Sequence, residues 1–308
     1  MIDGRRIHKK SLVVVLSILS LVVISQITRG QQPTPGLAEL ESRLAQNPND
    51  ADAHYELGLA LAMKGDVDSA LTHLERATHL APEVLKCGNA YRMMAIKFRQ
   101  IDRAIKFLDK AVEEMEKANQ VEDSRNGDIP ELRLNLALAY VDKMPSSDIG
   151  IVTQARLSTK SIRQLEDVLA KQPDSWAGTY ALGMNHLYWP KALRHAPKSI
   201  EAFQRCLAIQ EKMIKETGEP KPHFVRGYLG LGDAYVKDKK FEEAREIWRS
   251  AEAHFPDDPR LKQRLALTDN KTLGKFVDKE RGLGVVVNTD LTILWGPESV
   301  YQDVFEKR

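Results

Sequence analysis

Histidine is the residue in this chain whose chemistry would be most useful near neutral pH, because its imidazole can bind a metal or transfer a proton. The sequence contains eight histidines. His73 and His79 are six residues apart, which places them on different sides of a helix, and His186 and His195 flank a Trp-Pro pair. None of these residues belongs to an HExxH motif or to a paired Cys/His set. We interpret the histidines as surface or capping residues and predict no metal site.

Cysteine and carboxylate side chains show no catalytic pattern either. Cys87 and Cys206 fit no CxxC, haem-attachment or zinc spacing, and we interpret both as small core residues. The chain has no GxSxG, Walker or kinase motif, and Gly282 and Gly284 lack the third glycine of a nucleotide loop. Carboxylates on helices mostly form solvated faces and i,i+4 pairs. We therefore predict that the protein is not an enzyme and has neither catalytic residues nor a cofactor.

The overall composition is typical of a soluble helical protein. Of the 308 residues, 29% are charged, 43% are apolar and 6% are aromatic. Lys and Arg total 45 against 43 for Asp and Glu, which leaves a net charge of +2. A chain this close to neutrality has no global field that would attract nucleic acid. We expect no nucleic-acid partner.

The first thirty residues have the order of a targeting segment. Residues 1–10 carry basic side chains, residues 12–24 form an apolar run, and small residues follow. This order is typical of a secretory signal peptide over residues 1–30. Counted over residues 11–27, the same stretch reaches the short limit of a membrane span. Residues 31–36 contain two prolines and a glycine and predict a linker.

Two alternatives remain open for this segment. It could be a signal peptide that is cleaved, or an uncleaved anchor that tethers the protein through residues 11–27, with its basic residues held in the cytoplasm. Both alternatives place the bulk of the chain across a membrane. We therefore expect a protein that is exported, periplasmic or extracellular, or anchored in the inner membrane with its main part outside the cytoplasm.

The remainder of the chain contains an internal repeat. Residues 51–82 and 225–256 align without gaps when Gly58 is placed over Gly232. Three further residues then coincide at intervals of 12, 7 and 5 in both copies, namely Ala70 with Ala244, Ala77 with Ala251, and Pro82 with Pro256. This spacing resembles the tetratricopeptide repeat, a unit of two antiparallel helices. Such a unit cannot bury its apolar face alone, so neighbouring units stack.

The resemblance gives each of these positions a role. It implies that Gly58 and Ala70 lie where the two helices approach most closely, and that Pro82 ends the second helix. Asp66 precedes the second helix and can cap its free amides. Three weaker copies lie between the two clear ones. In the second copy Arg92 replaces the glycine, and the third and fourth copies carry insertions of about twelve and about four residues.

We therefore predict an all-α fold, a tetratricopeptide-repeat solenoid over residues 37–270. It would contain about five helix pairs, with a leading helix over residues 37–48 and a trailing helix over residues 258–268. Residues 271–308 would form a short C-terminal segment outside the repeats.

The C-terminal segment differs from the repeats in composition. Residues 285–287 and 291–295 are rich in β-branched and apolar residues and are separated by Asn-Thr-Asp, which predicts a hairpin or an extended strand. Two main roles remain open for residues 271–308. The segment could fold back and cap the apolar end of the last repeat, or it could dock a partner. A third possibility, an enzyme that uses this segment, rests only on the acidic residues Asp278, Glu280 and Asp290.

The resemblance also implies a concave groove, lined by the first helix of each pair, that takes an extended segment of a partner protein. The motif places these residues on that face: Tyr55, Leu59, Asn89, Met93, Lys97, Tyr180, Met184, Tyr188, Arg226, Asp233 and Lys237. Packing between repeats would explain most of them equally well. We predict a protein–protein interaction scaffold or adaptor of the extracytoplasmic space. A structural scaffold that assembles from copies of itself is the alternative.

Overall fold

The computed structural model describes residues 36–121, 129–282 and 284–296, together with Tyr301 and Val304. Within these residues the chain forms thirteen α-helices and no β-strand, which confirms the predicted all-α fold. In chain order the helices are α1 (Leu37–Gln46), α2 (Ala51–Lys64), α3 (Val67–Leu80), α4 (Leu85–Lys97), α5 (Ile101–Val121), α6 (Pro130–Lys143), α7 (Ile151–Lys171), α8 (Trp176–Leu187), α9 (Ala196–Thr217), α10 (Val225–Lys237), α11 (Phe241–Glu252), α12 (Pro259–Leu265) and α13 (Asn270–Glu280).

The predicted signal peptide or anchor over residues 1–30 lies outside the described residues, as does the linker apart from Gly36. Among the helices that the structure describes, none combines the length and the apolar character needed to cross a membrane.

The helices pack as five consecutive pairs, which are α2 with α3, α4 with α5, α6 with α7, α8 with α9, and α10 with α11. The second helix of each pair also packs against the first helix of the next pair. The first helices contact one another in order from α2 to α10, so they line one continuous face, which we call the inner surface. The predicted solenoid of five helix pairs with a leading helix is confirmed.

Local sequence signals set the ends of the first pair. The Asp50 side chain accepts a hydrogen bond from the Ala53 amide at the start of α2, and Asp66 does the same for the Ser69 amide at the start of α3. Each bond satisfies an amide that the helix itself leaves unpaired. Gly65 ends α2 with a φ of 82°, a conformation that favours glycine. The pair therefore begins and ends where capping chemistry predicts.

Glycine at the repeat position allows the two helices of a pair to approach closely. A Cβ atom on Gly58 would lie 2.7 Å from the Cγ atom of Leu74 in the facing helix. A Cβ atom on Gly232 would overlap the indole of Trp248, whose side chain is fully buried. A larger residue at either position would therefore push the helices apart.

We expect Gly232→Ala to lower the free energy of unfolding by about 1–3 kcal/mol, because the added methyl group overpacks the contact with Trp248. Gly274→Ala is the matched control. Gly274 lies inside α13, and the nearest atom to its added Cβ would be 4.0 Å away. There the substitution should be neutral or stabilising by up to about 1 kcal/mol, because alanine favours the helix. Urea unfolding of both variants measures the difference, and equal stability of the two would contradict this packing.

Two helices cover the end of the solenoid. Leu261 of α12 and Leu273 and Val277 of α13 are fully buried in one apolar cluster with Trp248. The trailing helix predicted over residues 258–268 is α12. The helix α13 was not predicted from the sequence. Together the two helices shield the apolar face that the fifth pair would otherwise expose.

The two predicted insertions lengthen the connections on one side of the solenoid. In the third pair, residues 144–150 form a loop, and α7 continues the inserted sequence as extra turns. In the fourth pair, residues 188–195 form a loop that contains a single 3₁₀ turn at Lys191–Leu193. Both loops therefore follow first helices of the inner surface.

After α13 the chain turns back along the inner surface. We call residues 284–296 the return segment. It runs without regular structure to a 3₁₀ turn at Thr292–Leu294. The hairpin alternative is wrong, because the described residues contain no strand. The physical reason is that helices surround the segment, and the Asn89 side chain accepts the Leu291 amide hydrogen bond that a second strand would take.

Candidate functional site

A buried polar cluster joins the inner surface to the return segment. The Arg92 guanidinium on α4 and the Asp142 carboxylate on α6 are both fully buried, and their Nη1 and Oδ2 atoms lie 2.5 Å apart. Arg92 also donates to the Thr289 carbonyl oxygen at 2.7 Å. The Thr289 hydroxyl accepts from Arg92 and donates to Asp142. The ion pair is therefore completed by hydrogen bonds from the return segment, which a buried pair requires to be stable.

The Asn89 side chain binds both the backbone and one side chain of the return segment. Its Oδ1 atom accepts from the Leu291 amide at 3.0 Å, and its Nδ2 atom donates to an Asp290 oxygen at 2.9 Å. Asn89 is only 1% exposed. Its carboxamide thus takes one of the main-chain positions that a neighbouring strand would occupy.

Apolar contacts continue along the same path. Leu291 and Ile293 are buried in a cluster with side chains of α6, α8 and the connection before α10, including Leu134, Trp176 and Phe224. Further along the chain, Val304 is buried in an apolar cluster formed by side chains of α3 to α6, and Tyr301 packs against the same cluster. The described residues of the C-terminal part therefore contact helices of the first four pairs.

A second polar cluster fixes the point where the chain turns back. Asp233 of α10 is fully buried and pairs with Arg264 at 2.7 Å and with Arg281 at 2.8 Å. Burial alone would raise the pKa of Asp233, but these two charges outweigh it and hold the pKa below its ordinary value. Lys237 donates to the carbonyl oxygens of Leu187, Trp189 and Arg281, and burial lowers its pKa to about 8.

The predicted groove residues differ widely in their exposure. Lys97 is exposed, four residues are half-buried (Tyr55, Leu59, Tyr180 and Tyr188), and six are buried (Asn89, Met93, Met184, Arg226, Asp233 and Lys237). Asn89 contacts the return segment, and Asp233 and Tyr188 both bind Arg281. The structure therefore brings several of them to one face, where the chain's own C-terminal part already contacts them. A role in binding a partner stays a prediction.

A cavity of about 130 Å³ lies beside the return segment. Its walls come from α6, α7, α8, both insertion loops and the return segment, and they are mainly apolar. Asn185 lines it and is 7% exposed; its Oδ1 atom accepts from the Ser158 hydroxyl, which in turn accepts from the Trp189 indole at 2.7 Å. Among the described residues, the Nδ2 atom of Asn185 has no hydrogen-bond partner.

The histidines and cysteines occupy structural positions. The Nδ1 atoms of His186 and His195 lie 2.8 Å apart. His186 and His223 are buried, so their interpretation as surface residues is wrong. Both cysteines are buried, as predicted, and burial raises the pKa of Cys87 to about 11 and that of Cys206 to about 12. No group of three or more His, Cys, Asp or Glu side chains suited to a metal ion occurs in the part of the chain that the structure describes.

Two buried histidines should make the protein less stable in mild acid. Burial lowers the pKa of His186 and of His223 to about 4, against about 6.5 in the unfolded chain. Between these two pKa values the histidines are protonated in the unfolded state but not in the folded state. Their contribution to the free energy of unfolding is therefore fully present above about pH 6.5 and is lost as the pH falls toward 4. Between about pH 7 and pH 5 each histidine should cost about 2 kcal/mol of unfolding free energy.

The variant His223→Gln isolates one of these contributions. It should reduce the difference in unfolding free energy between about pH 7 and pH 5 by about 2 kcal/mol. His79→Gln, at a solvent-exposed position, is the control and should leave the difference unchanged. Urea titrations at the two pH values measure it. An unchanged difference in His223→Gln would show that this histidine does not titrate as its burial requires.

Several residues of this site were not predicted from the sequence. Arg92, Asp142 and Thr289 form its most buried contacts, yet none was among the predicted groove residues. One signal existed, because Arg92 replaces the small residue expected at the closest approach of two helices. Asp142 and Thr289 carry no comparable signal, since their role depends on a contact across 147 positions of sequence.

Comparison with known families agrees with this architecture. Two family models of the tetratricopeptide repeat match the chain, one at residues 30–78 and one at residues 225–268. The first match ends within α3, and the second covers α10, α11 and α12. Together with the five stacked helix pairs, these matches show that the chain contains tetratricopeptide repeats. Such proteins generally bind protein partners and are typically non-enzymatic.

Solved structures resemble the chain only distantly. A thermophilic TPR protein of Thermus thermophilus is 18% identical, with 70% of this chain and 97% of that chain covered and a TM-score of 0.47. PilW, a type IV pilus biogenesis factor, is 15% identical, with 74% and 88% covered and a TM-score of 0.48. YrrB, a TPR protein with an unusual peptide-binding site, is 12% identical, with 74% and 98% covered and a TM-score of 0.42. No curated protein matches this chain.

Proposed function

We propose that this protein is an interaction scaffold outside the cytoplasm, and that its inner surface binds an extended segment of a partner protein. The observation that supports this proposal is the return segment itself. Arg92 donates to the Thr289 carbonyl, and Asn89 accepts from the Leu291 amide. These contacts are made to the backbone, so they do not depend on which side chains the bound segment carries. The same two residues could therefore hold a different chain in the same path.

A partner would have to compete with the return segment. Because that segment is covalently attached, its effective concentration at the inner surface is on the order of millimolar. A free peptide of equal intrinsic affinity therefore binds only when the return segment leaves, and its apparent affinity falls accordingly. The proposed scaffold is thus one whose binding surface is occupied in the isolated chain.

The extracytoplasmic setting rests on the first thirty residues, whose basic start and apolar run are typical of an export signal. Fractionation of cells that express the full chain tests this part alone. We expect the protein in the periplasm, the medium or the inner membrane. Recovery in the cytoplasmic fraction would contradict the proposed setting and leave the binding surface untouched.

The binding part can be tested with a labelled peptide of residues 285–296. We would titrate it into the full chain and into the variant Leu291→Asp, whose own return segment should detach. The variant should bind the peptide at least about tenfold more tightly, because it no longer competes with itself. Adding Asn89→Ala to this variant should weaken binding again, whereas Asn47→Ala, at an exposed asparagine, should not. Equal binding by the full chain and Leu291→Asp would contradict the proposal.

Self-assembly is the alternative function, and the same variant separates it. If return segments bind between copies, the full chain should show a concentration-dependent size in light scattering. Leu291→Asp should then be a monomer. A full chain that is monomeric at all concentrations favours a foreign partner.

A further inference from the structure

The cavity beside the return segment exists because of features that a regular repeat lacks. Ile151 and Leu193, which line it, lie at the ends of the two insertion loops. Val287 and Leu291 of the return segment line it from the other side. Trp176 of α8 also contributes to its walls. Three elements outside the regular helix pairs therefore converge on one apolar space.

The size of the cavity limits what it can hold. Its volume of about 130 Å³ is close to that of a cavity of roughly 150 Å³ that admits benzene. One aromatic ring or one branched aliphatic side chain would fit, and a long acyl chain would not. The wall atoms of an empty apolar space lack contact partners, so filling it with apolar atoms gains dispersion energy.

Two buried polar atoms without partners among the described residues indicate which polar group the ligand carries beside its apolar side chain. Asn185 offers a buried N–H donor, and the Oδ2 atom of Asp290 is a buried acceptor without a partner among the described residues. Both residues line the cavity. A buried polar group without a partner costs about 1–3 kcal/mol. One donor and one acceptor are the complement of a peptide unit, which presents one carbonyl and one N–H.

The charges that line the cavity and the exposed apolar residues around it favour an uncharged side chain of a partner protein as the ligand. The charged residues that line the cavity are Arg226 and Asp290, one positive and one negative, so the described lining carries no net charge. Ile151 is 63% exposed, Leu193 is 54% exposed, and the adjacent Val152 is 71% exposed. Large apolar side chains that share one exposed site are typical of a protein contact surface. A small soluble metabolite would leave this apolar rim uncovered.

We propose that the cavity binds the aromatic or branched aliphatic side chain of a partner segment, together with its peptide group. The site rests on the proposed function only in that its ligand is again a segment of a partner protein. The inner surface binds such a segment after the return segment leaves, whereas the cavity binds one while the return segment stays in place. It differs from the backbone contacts of Asn89 in one respect. Its walls include the return segment, so the cavity is complete only while that segment is bound.

The probes for this site are the N-acetyl amides of phenylalanine, leucine and glycine. They would be titrated into the full chain while the indole N–H signals of its four tryptophans are followed by NMR. Trp176 and Trp189 line the cavity. Trp248 is buried in another cluster and Trp295 is exposed, so both serve as internal references. The phenylalanine and leucine probes should shift Trp176 and Trp189 saturably at millimolar concentration, and the glycine probe should not.

A matched pair of substitutions assigns the shifts to the cavity. Ala155→Leu fills the space from α7 and should weaken binding of the phenylalanine probe at least tenfold. Ala170→Leu makes the same change at an exposed position of the same helix and should not alter binding. Shifts that persist in Ala155→Leu, or that affect all four tryptophans alike, would overturn the proposal, as would equal shifts with the glycine probe. If Ala155→Leu does not fold, the difference between phenylalanine and glycine probes decides alone.

The probe experiment and the peptide experiment can fail separately. The probe experiment uses the chain with its return segment bound, whereas the peptide experiment uses Leu291→Asp, in which it is released. If the probes shift neither Trp176 nor Trp189 while Leu291→Asp binds the peptide tightly, only the proposed cavity site is overturned. If the probes shift Trp176 and Trp189 but Leu291→Asp binds the peptide no more tightly than the full chain, only the binding of extended segments at the inner surface is overturned.

Discussion

Replacing Asp142 by alanine should lower the free energy of unfolding by about 3–5 kcal/mol. The change leaves the Arg92 guanidinium fully buried without its counter-charge, and it removes the acceptor of the Thr289 hydroxyl. The cost of an unpaired buried charge exceeds that of losing the contact itself. Urea denaturation followed by circular dichroism measures the change.

Asp148→Ala is the matched control for this prediction. Asp148 pairs with Lys143 at 2.8 Å, but its side chain is 63% exposed, so its loss should cost less than about 1 kcal/mol. Removing both buried charges with Arg92→Leu and Asp142→Leu together should cost less than Asp142→Ala alone, because no isolated charge remains. A loss below about 1 kcal/mol for Asp142→Ala would show that the pair is solvated and not buried.

Leu291→Asp should detach the return segment from the inner surface. The substitution places a carboxylate against the buried apolar side chains of residues such as Leu134 and Trp176. Burial of an unpaired charge there would cost more than the roughly 2–3 kcal/mol gained by burying leucine. We therefore expect release of the segment before global unfolding. Limited proteolysis should cleave residues 284–296 at least tenfold faster than in the full chain.

Trp295→Asp is the control for detachment. Trp295 lies four residues beyond Leu291 but is 47% exposed, so an aspartate there should leave the segment in place. Cleavage of the two variants at the same rate would mean that the return segment is not held by burial of Leu291. Helix content by circular dichroism should stay near that of the full chain in both, because the helix pairs do not depend on the segment.

The repeats could be predicted because their signals are local. Gly58, Ala70 and Pro82 lie within one unit, and each acts through contacts inside that unit or through the ends of its own helices. The same residue types recur at the same intervals near the C-terminus. This spacing resembles the tetratricopeptide repeat, and that resemblance, with the three weaker copies between, implied the fold class and the number of pairs. Asp66 was likewise predicted as a cap from its position before the helix.

The return segment could not be predicted, because its conformation depends on residues far away in the sequence. Val287 and Leu291 have the composition of a strand, and composition cannot distinguish a strand that pairs with another strand from an extended chain bound by helices. The partner that decides between them is Asn89, about two hundred positions away. The α13 helix was missed although Leu273, Phe276 and Val277 have helical spacing, and Gly274 lowers the helix propensity of this short stretch.

The candidate site was predicted only in part. The face was inferred correctly as that of the first helices, but Asp233 and Lys237 turn out to bind Arg281 and backbone carbonyls within the chain. The sequence cannot reveal such occupancy, since an inward-facing charged residue on a first helix has the same pattern whether its partner is internal or foreign. Binding roles for Tyr55, Met184 and the other groove residues remain predictions.

Hydrogen exchange at the Leu291 amide tests most directly whether the inner surface holds an extended chain. This amide lies in no helix, and its hydrogen bond is accepted by the Asn89 side chain. We predict slow exchange in the full chain, and exchange at least tenfold faster in Asn89→Ala with the amides of α13 unchanged. Exchange of Leu291 at the rate of an unstructured peptide in the full chain would contradict the bound return segment and the binding surface inferred from it.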